Sequence, residues 1–342
     1  VSILRFFLFS FSILYGVITW VRNAFYDFKF LKSKEHPIKL IVVGNLSMGG
    51  TGKSPVTLYL SNLLIEHFNV AILSRGYGRK TKGYRQVDVN SLASDIGDEP
   101  LMFKSISGDK IQVAVCEDRN EGVEQIQVDF PKTDLVLLDD AFQHRKIKAG
   151  FSILLTTFDN PFFHDFVVPF GSLREFRNGV LRANVLLVTK CPVNISTNDK
   201  IYFQNNLEKY KKPVFYSRIK YGALSSFTFE VQTIKNVVIV AGIANPKGMI
   251  EHLSSIYRVE SCIFSDHHQF TKTEIDEIHL KFDNFAGEEK AIVTTQKDFM
   301  RLKDNIEKWG LKNYPWYVLP ISIEIEKEQE FNKLISDYVG KN

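Results

Sequence analysis

The stretch Ile41-Val42-Val43-Gly44-Asn45-Leu46-Ser47-Met48-Gly49-Gly50-Thr51-Gly52-Lys53-Ser54 constrains this chain more than any other. An apolar run suited to a buried strand enters a glycine-rich turn that ends in Gly-Lys-Ser. Glycines let the backbone fold tightly around an anion, so that successive N–H groups point at phosphate oxygens. On this reading Ser47, Met48, Gly49, Gly50, Thr51, Gly52, Lys53 and Ser54 cradle a nucleotide, Lys53 reaches its β- and γ-phosphates, and Ser54 binds Mg²⁺. The helix that follows aims the positive end of its dipole at the phosphates. The strict pattern has glycine five residues before Gly52, where this chain has Ser47; Gly49 and Gly50 supply the turn freedom instead. The alternative is a plain glycine turn.

Around this loop, apolar runs alternate with helical segments. Strands are expected near residues 39–43, 70–73, 111–115, 135–138, 152–156 and 185–189, with helices near 55–67, 100–106 and 119–127. Such alternation predicts an α/β fold, a doubly wound and mostly parallel sheet of the phosphate-loop NTPase type, with its ligand at the carboxyl ends of the strands. Residues 80–97 lack periodicity and read as loop. Residues 213–232 read as two antiparallel strands forming a linker ribbon, and a second, smaller α/β unit begins with the strand 237–240. The expected organisation is therefore 1–34 apolar N-terminal helix, 35–210 phosphate-loop domain, 211–234 linker and 235–342 smaller domain.

Charge bears on partners. The net charge of the 342 residues is +4, too small and dispersed to argue for nucleic acid. Within the first 40 residues, Arg5, Arg22, Lys29, Lys32, Lys34 and Lys39 stand against only Asp27 and Glu35. That local surplus equals the surplus of the whole chain. The three cysteines, Cys116, Cys191 and Cys262, are far apart, as expected of reduced cytosolic thiols and not of a disulfide framework.

No charge occurs from Phe6 to Val21, and large apolar side chains dominate. These sixteen residues fall short of the ~20 that cross a bilayer squarely. The aromatic and basic mixture that follows (Trp20, Arg22, Phe25, Tyr26, Phe28, Lys29, Phe30, Lys32) suits a lipid interface, with rings at the headgroups and cations on anionic lipid. The expectation is an anchor on the cytoplasmic face of a membrane. The rival readings are a core helix of a soluble domain and a signal peptide, the latter without a small-residue cleavage site.

Leu135-Val136-Leu137-Leu138-Asp139-Asp140 is the natural partner of the loop. A buried strand ending in Asp places a carboxylate opposite Ser54, where it holds Mg²⁺ directly or through water. Asp139 is the preferred ligand, and Asp140 is equally compatible with a supporting place. Thr189-Lys190-Cys191-Pro192 lacks the Asn and Asp with which a guanine reader grips its base, so ATP is the expected nucleotide. Asp98-Glu99 offers a carboxylate for a hydroxyl nucleophile and an oxygen for a metal. From spacing alone it reads equally as an exposed acidic helix start before Pro100. Asp266-His267-His268 reads as solvated turn residues, with a weak zinc alternative involving Cys262. Arg75, Arg119 and Arg174 follow strands or lie in loops, where a lone Arg usually faces solvent.

Taken together, Val43-Gly44-Asn45-Leu46, Gly49-Gly50-Thr51-Gly52-Lys53-Ser54-Pro55, Leu73-Ser74-Arg75-Gly76-Tyr77-Gly78-Arg79, Gly97-Asp98-Glu99-Pro100 and Asp139-Asp140-Ala141-Phe142-Gln143-His144 form an ordered set. Gly171-Ser172-Leu173-Arg174-Glu175, Ala241-Gly242-Ile243-Ala244-Asn245-Pro246, Phe264-Ser265-Asp266-His267-His268 and Thr294-Thr295-Gln296-Lys297-Asp298 continue it. In this order they resemble the tetraacyldisaccharide 4′-kinase (LpxK) family over nearly the full length. Ala141, Ser54 and Gln296 depart from the usual Gly, Thr and Glu.

The resemblance implies ATP- and Mg²⁺-dependent phosphorylation of the 4′-hydroxyl of a tetraacylated glucosamine disaccharide 1-phosphate, a membrane lipid on the route to lipid A. It implies a location on the cytoplasmic face of the inner membrane, with no obligate protein partner. Carried over to this sequence, Asp98 is the general base, supported by His267, with Lys53 on the phosphates. Ser54, Glu99, Asp139 and Asp140 belong to the metal site, and Arg75, Arg119, Gln143, His144, Arg174 and Glu175 line the acceptor site. Cationic groups suit a phosphorylated sugar. The competing function is a membrane-associated phosphate-loop ATPase switch with a protein partner.

Overall fold

Five successive residues of the strand Lys39–Asn45, Leu40 to Gly44, are buried on both faces, as a strand enclosed between helices requires. A computed structural model describes residues 2–340, with the side chains of the first helix described from Leu8 onward. The side chains of residues 2–7, among them Arg5, Phe6 and Phe7 of the apolar segment, lie outside the described residues, as do residues 1, 341 and 342, the outermost positions of the expected segments.

In chain order the first unit contains α1 (Ser2–Asp27), β1 (Lys39–Asn45), α2 (Lys53–Leu64), β2 (Val70–Ser74), β3 (Arg85–Gln86), α3 (Ala93–Ile96), α4 (Asp98–Ser107), β4 (Gln112–Val115) and α5 (Arg119–Asp129). It continues with β5 (Leu135–Asp139), β6 (Phe151–Thr157), β7 (Val185–Thr189), α6 (Thr197–Leu207) and β8 (Val214–Tyr221). The chain then runs through β9 (Ser225–Ser226), β10 (Asn236–Ala241), α7 (Lys247–Ser254), β11 (Arg258–Ile263), α8 (Lys272–Asn284), β12 (Lys290–Thr295), α9 (Gln296–Leu302), β13 (Trp316–Leu319), β14 (Ile321–Ile325) and α10 (Glu328–Gly340).

The larger sheet has the order β14-β8-β7-β6-β1-β5-β2-β4-β3, parallel except for the edge strands β3 and β14. The smaller has the order β11-β10-β12-β13-β9, parallel except for β9. Val43 pairs with Asp139. The register therefore brings the loop after β1 and the acidic end of β5 out side by side at the carboxyl edge. Apolar side chains of β1, β2, β5 and β6 pack on both faces, against α2 and α4 on one and α5 on the other.

Three features differ from expectation. The segment 80–97 contains β3 and α3, each too short to carry a periodic signal. The ribbon joining the units exists, but its strands are β8 and β14, which pair Ser217 with Ile325 and Tyr221 with Ile321. Residues 227–231 form no strand, and Ser225–Ser226 pairs with β13. Finally, the end of the chain returns to the first unit. Ile325, Phe331, Ile335 and Val339 pack with Val56, Leu60 and Leu64 of α2, so residues 321–340 do not belong with the smaller unit as the 235–342 division expected.

The helix α1 inverts the usual burial pattern. From Leu8 onward its buried positions are Ser12, Gly16, Thr19 and Asn23, spaced as one helical stripe. Ser12 Oγ donates to the Val167 carbonyl at 2.7 Å, and Arg145 reaches the Asn23 carbonyl at 3.0 Å and Asp27 at 2.8 Å. Phe9, Phe11, Ile13, Leu14, Val17, Ile18 and Trp20 point outward, Ile18 being 59% exposed. Small polar side chains face the protein and large apolar ones face away from it. Leu8–Asp27 is long and apolar enough to cross a membrane by length and composition.

Candidate functional site

Gly52 caps α2 at φ 85°, a left-handed conformation that glycine adopts without a Cβ penalty. It turns the chain so that Lys53 opens the helix. The loop is braced on both sides: Asn45 Nδ2 donates to Thr51 Oγ1 at 2.8 Å, and Thr189 Oγ1 donates to the Thr51 carbonyl at 2.7 Å. Lys190 Nζ reaches the Gly50 carbonyl at 2.5 Å. Ser47 makes a β-bridge with Leu173, and Met48 N–H donates to the Ser172 carbonyl at 2.7 Å. At that position the backbone is extended and pairs with a neighbouring segment, so the glycine of the strict pattern has no conformational task there. Lys53 Nζ lies 3.7 Å from Asp140 Oδ2.

Four carboxylates gather opposite the loop. Gly97 at φ 93° ends α3 and starts α4, which places Asp98 and Glu99 in the first turn of a helix aimed at the loop. Asp98 is buried, 6% exposed, which excludes the exposed-helix-start reading. Glu99 Oε1 accepts from Ser54 Oγ at 2.8 Å and forms an ion pair with Lys297. Asp139 is buried and accepts from Thr57 Oγ1 at 3.2 Å and Ser74 Oγ at 3.4 Å. Asp140, at φ 45°, takes both arms of Arg174 at 2.9 and 3.1 Å.

These carboxylates differ in charge state for physical reasons. Burial together with the charges of Glu99 and Asp140 pushes Asp139 up to about 7. For Asp140, burial is outweighed by Lys53 and Arg174, which hold it below the usual carboxylate range. Burial raises Asp98 too, but the hydrogen bond from His267 and the charges of Arg301 and Lys297 prevail and keep it ionised well below its ordinary value. A buried carboxylate pushed up by its like-charged neighbours marks an excess of negative charge, which a hard divalent cation would relieve. The all-oxygen donors Ser54, Glu99 and Asp139 fit Mg²⁺. Among the described residues no three His, Cys, Asp or Glu side chains form a cage alone, so phosphate oxygens would complete the shell. The zinc alternative at Cys262 has no support there.

His267 arrives from the smaller unit. Its backbone is left-handed, φ 57°, held by N–H bonds to the Gly242 carbonyl at 3.2 Å and Asp266 Oδ1 at 3.1 Å. Its Nδ1 donates to Asp98 Oδ2 at 3.0 Å, which raises the imidazole above its ordinary value against the opposing effect of burial. Asp266 is an exposed turn residue as expected, but the two histidines are not solvated: His268 Nε2 also engages Glu274 at 2.9 Å. Two residues with no role expected from sequence complete the junction. Arg301 binds Asp98, Asp298 at 2.6 Å and the Gly242 carbonyl at 3.0 Å, and lies 3.3 Å from His267 Nδ1. Lys297 binds Glu99. Both sit on α9, where Thr295 caps the helix and accepts from Asp298 N–H at 3.1 Å. The Thr-x-x-Asp start with Arg three residues later was the available signal.

The expected acceptor residues divide by burial. Arg75 is exposed and has no hydrogen bond or ion pair among the described residues. Arg174 and Gln143 reach the site edge, Gln143 Nε2 donating to the Asn45 carbonyl at 2.9 Å and to Glu175 at 3.1 Å. His144 Nε2 accepts from Arg119 N–H at 3.3 Å, and burial beside the Arg119 charge lowers it to about 4, so it is neutral. Arg119 lies underneath, bonded to the Cys116 carbonyl at 2.8 Å and the Asp139 carbonyl at 3.3 Å. Glu175 is also buried, held by Asn23 of α1 at 2.6 Å and Arg182 at 2.7 Å. The structure places these last two behind the site and not on its open face.

A glycine-rich loop on a helix start, buried carboxylates at the next strand end and a carboxylate–imidazole pair define a phosphate-loop phosphotransferase. Residues 4–340 match the family LpxK, tetraacyldisaccharide-1-P 4′-kinase, and the chain belongs to that family. It is 42% identical to a tetraacyldisaccharide 4′-kinase of Flavobacterium psychrophilum, over 99% of this chain and 98% of that protein. It is 39% identical to one of Bacteroides thetaiotaomicron, over 98% and 93%. The crystal structure of LpxK from Aquifex aeolicus in complex with ATP superposes with a TM-score of 0.74 at 29% identity, covering 98% of this chain and 99% of that one.

Proposed function

We propose that this protein is an ATP-dependent kinase that phosphorylates the 4′-hydroxyl of a tetraacylated glucosamine disaccharide 1-phosphate. The observation that carries the reading is the ionised Asp98, buried next to Glu99, which itself accepts from Ser54, and oriented by His267 at 3.0 Å. A carboxylate so held accepts the proton of an attacking hydroxyl, and its imidazole partner fixes its direction. Lys53 and the loop N–H groups bind the phosphates of ATP. Ser54, Glu99 and Asp139 would hold Mg²⁺, with Asp140 positioning Lys53 and Arg174. Mg²⁺, when bound, neutralises charge on the transferring phosphoryl group. Arg75, Arg174, Gln143 and His144 are the acceptor-facing groups.

The outward apolar side of α1 supports residence at a membrane surface. Contiguous exposed apolar surface of this extent marks a lipid or protein contact, and the basic residues from Lys29 to Lys34 match anionic headgroups. We assign that surface to the cytoplasmic leaflet, where ATP is available. An acyl chain gains about 0.8 kcal/mol per buried CH₂, so a kinase resting in the interface raises only the sugar and leaves the chains in lipid. Labelled ATP with the disaccharide lipid in detergent tests the reading: label in the lipid supports it, and label only in free phosphate supports the ATPase switch.

A further inference from the structure

We propose that Lys297 is a catalytic residue, carried by the smaller unit to the γ-phosphoryl group of the bound nucleotide. The inference rests on the kinase reading above.

Lys297 sits at the start of α9, which packs against α4, and its ammonium is on Glu99, whose other partner is the Ser54 hydroxyl at 2.8 Å. The turn that precedes α7 lies over the loop as well: a Cβ built on Gly50 would stand 3.5 Å from the Ala244 Cβ. The smaller unit therefore already covers the place where terminal phosphates bind. Two cations reach this spot from it, and they differ in freedom. Arg301 is spent on Asp98, Asp298 and the Gly242 carbonyl and is buried. Lys297 has one partner among the described residues, Glu99, and a flexible four-carbon stem.

Glu99 is also the carboxylate that faces Ser54. When a competing cation takes that carboxylate, Lys297 loses its ion pair with Glu99 beside a polyanion. A phosphate oxygen is the replacement its chemistry selects. No bond is made or broken by Lys297 itself: the 4′-hydroxyl gives its proton to Asp98 as its oxygen bonds to the γ-phosphorus, the bond from that phosphorus to the β,γ-bridging oxygen breaks, and ADP leaves with that electron pair. The ammonium stabilises charge on the γ-oxygens throughout. Because it comes from the smaller unit, it links closure to transfer and disfavours attack by water while the units are apart.

The test uses the full chain in detergent micelles and compares Lys297→Met, which keeps the stem, with Lys297→Arg. Equilibrium binding of MgATP and MgADP is measured without acceptor, and turnover with the disaccharide lipid. We expect Lys297→Met to bind ADP like wild type but to lose about tenfold in ATP affinity, the loss of one charge-assisted contact. We expect kcat to fall about 100-fold, as when one transition-state donor is removed, and Lys297→Arg to restore part of both. Equal weakening of ATP and ADP would reduce Lys297 to a structural ion pair, and unchanged ATP preference with unchanged kcat overturns the proposal. Thermal unfolding of each variant separates loss of fold. Wild-type protein that fails to label the lipid sinks the kinase reading, while the ATP-over-ADP comparison still reports on Lys297.

Discussion

Asp98 and His267 are separated by 169 residues in the chain and belong to different units, yet their side chains meet at 3.0 Å. The pair exists only while the smaller unit stands against α4. The proton acceptor proposed above is therefore oriented by the same contact that covers the phosphate loop.

Replacing Asp98 with Asn removes the proposed proton acceptor and preserves shape. We expect kcat to fall about 10²- to 10⁴-fold, the range of a positioned base, with ATP affinity retained because Lys53 and the loop are untouched. Single-turnover kinetics beside nucleotide binding checks this; wild-type turnover would remove Asp98 from the role.

The same pair predicts a pH dependence. His267 faces Asp98, Asp266, Lys297, Arg301 and the Tyr77 ring. Its value is raised on folding, so its contribution to stability is complete below the unfolded value near 6.5. That contribution is lost as pH rises through the higher folded value. The difference in Tm between wild type and His267→Gln should be largest near pH 6 and shrink by pH 9. A difference independent of pH would contradict the ion pair.

The outward and inward faces of α1 should respond oppositely. Ile18→Asp places a charge on the apolar side, and we expect it to abolish co-sedimentation with anionic vesicles while Tm in detergent is unchanged. Retained vesicle binding would show that this face does not meet lipid.

Asn23→Leu tests the inner face. It leaves the buried Glu175 without its 2.6 Å donor, at a cost of about 1–3 kcal/mol, read by denaturant unfolding in detergent. An unchanged midpoint would mean that Arg182 and Gln143 satisfy the carboxylate alone.

Phe331 is fully buried, its ring 5.2 Å from that of Phe215. Phe331→Ala should cost about 3–5 kcal/mol. Because α10 packs on α2, the loss should also appear as weaker ATP binding near the midpoint of unfolding. Unfolding confined to the smaller unit would contradict the observed packing.

What could be read from the chain follows from the range of the interactions. β1, the loop and β5 with its terminal Asp139 are local: each apolar run and each glycine is visible within a few residues. Ser47 looked anomalous because its reason, the bridge to Leu173, lies 126 residues away. Asp98-Glu99 could not be told from a solvated helix start, since burial comes from α9, two hundred residues on. The β8–β14 pairing joins residues separated by about a hundred positions, and nothing near Val214 names its partner. Arg119 read as a solvent-facing group because a lone Arg usually is, and Glu175 was expected only on the acceptor face; the partners that bury them, the Asp139 carbonyl and Asn23, come from other elements. The apolar length of α1 is plain in the sequence, but its small polar stripe is masked by the large side chains around it.

The return of α10 to the first unit also has a consequence for synthesis. On a ribosome the phosphate-loop sheet emerges early, yet the hydrophobic groove beside α2 stays open until Phe331, Ile335 and Val339 have left the exit tunnel. Meanwhile the greasy helix α1 has already been exposed. On the membrane reading proposed above, the nascent kinase thus carries two uncovered apolar surfaces at once, one closed by its own tail and the other offered to lipid, and early engagement of the bilayer would leave the first as the last step of folding.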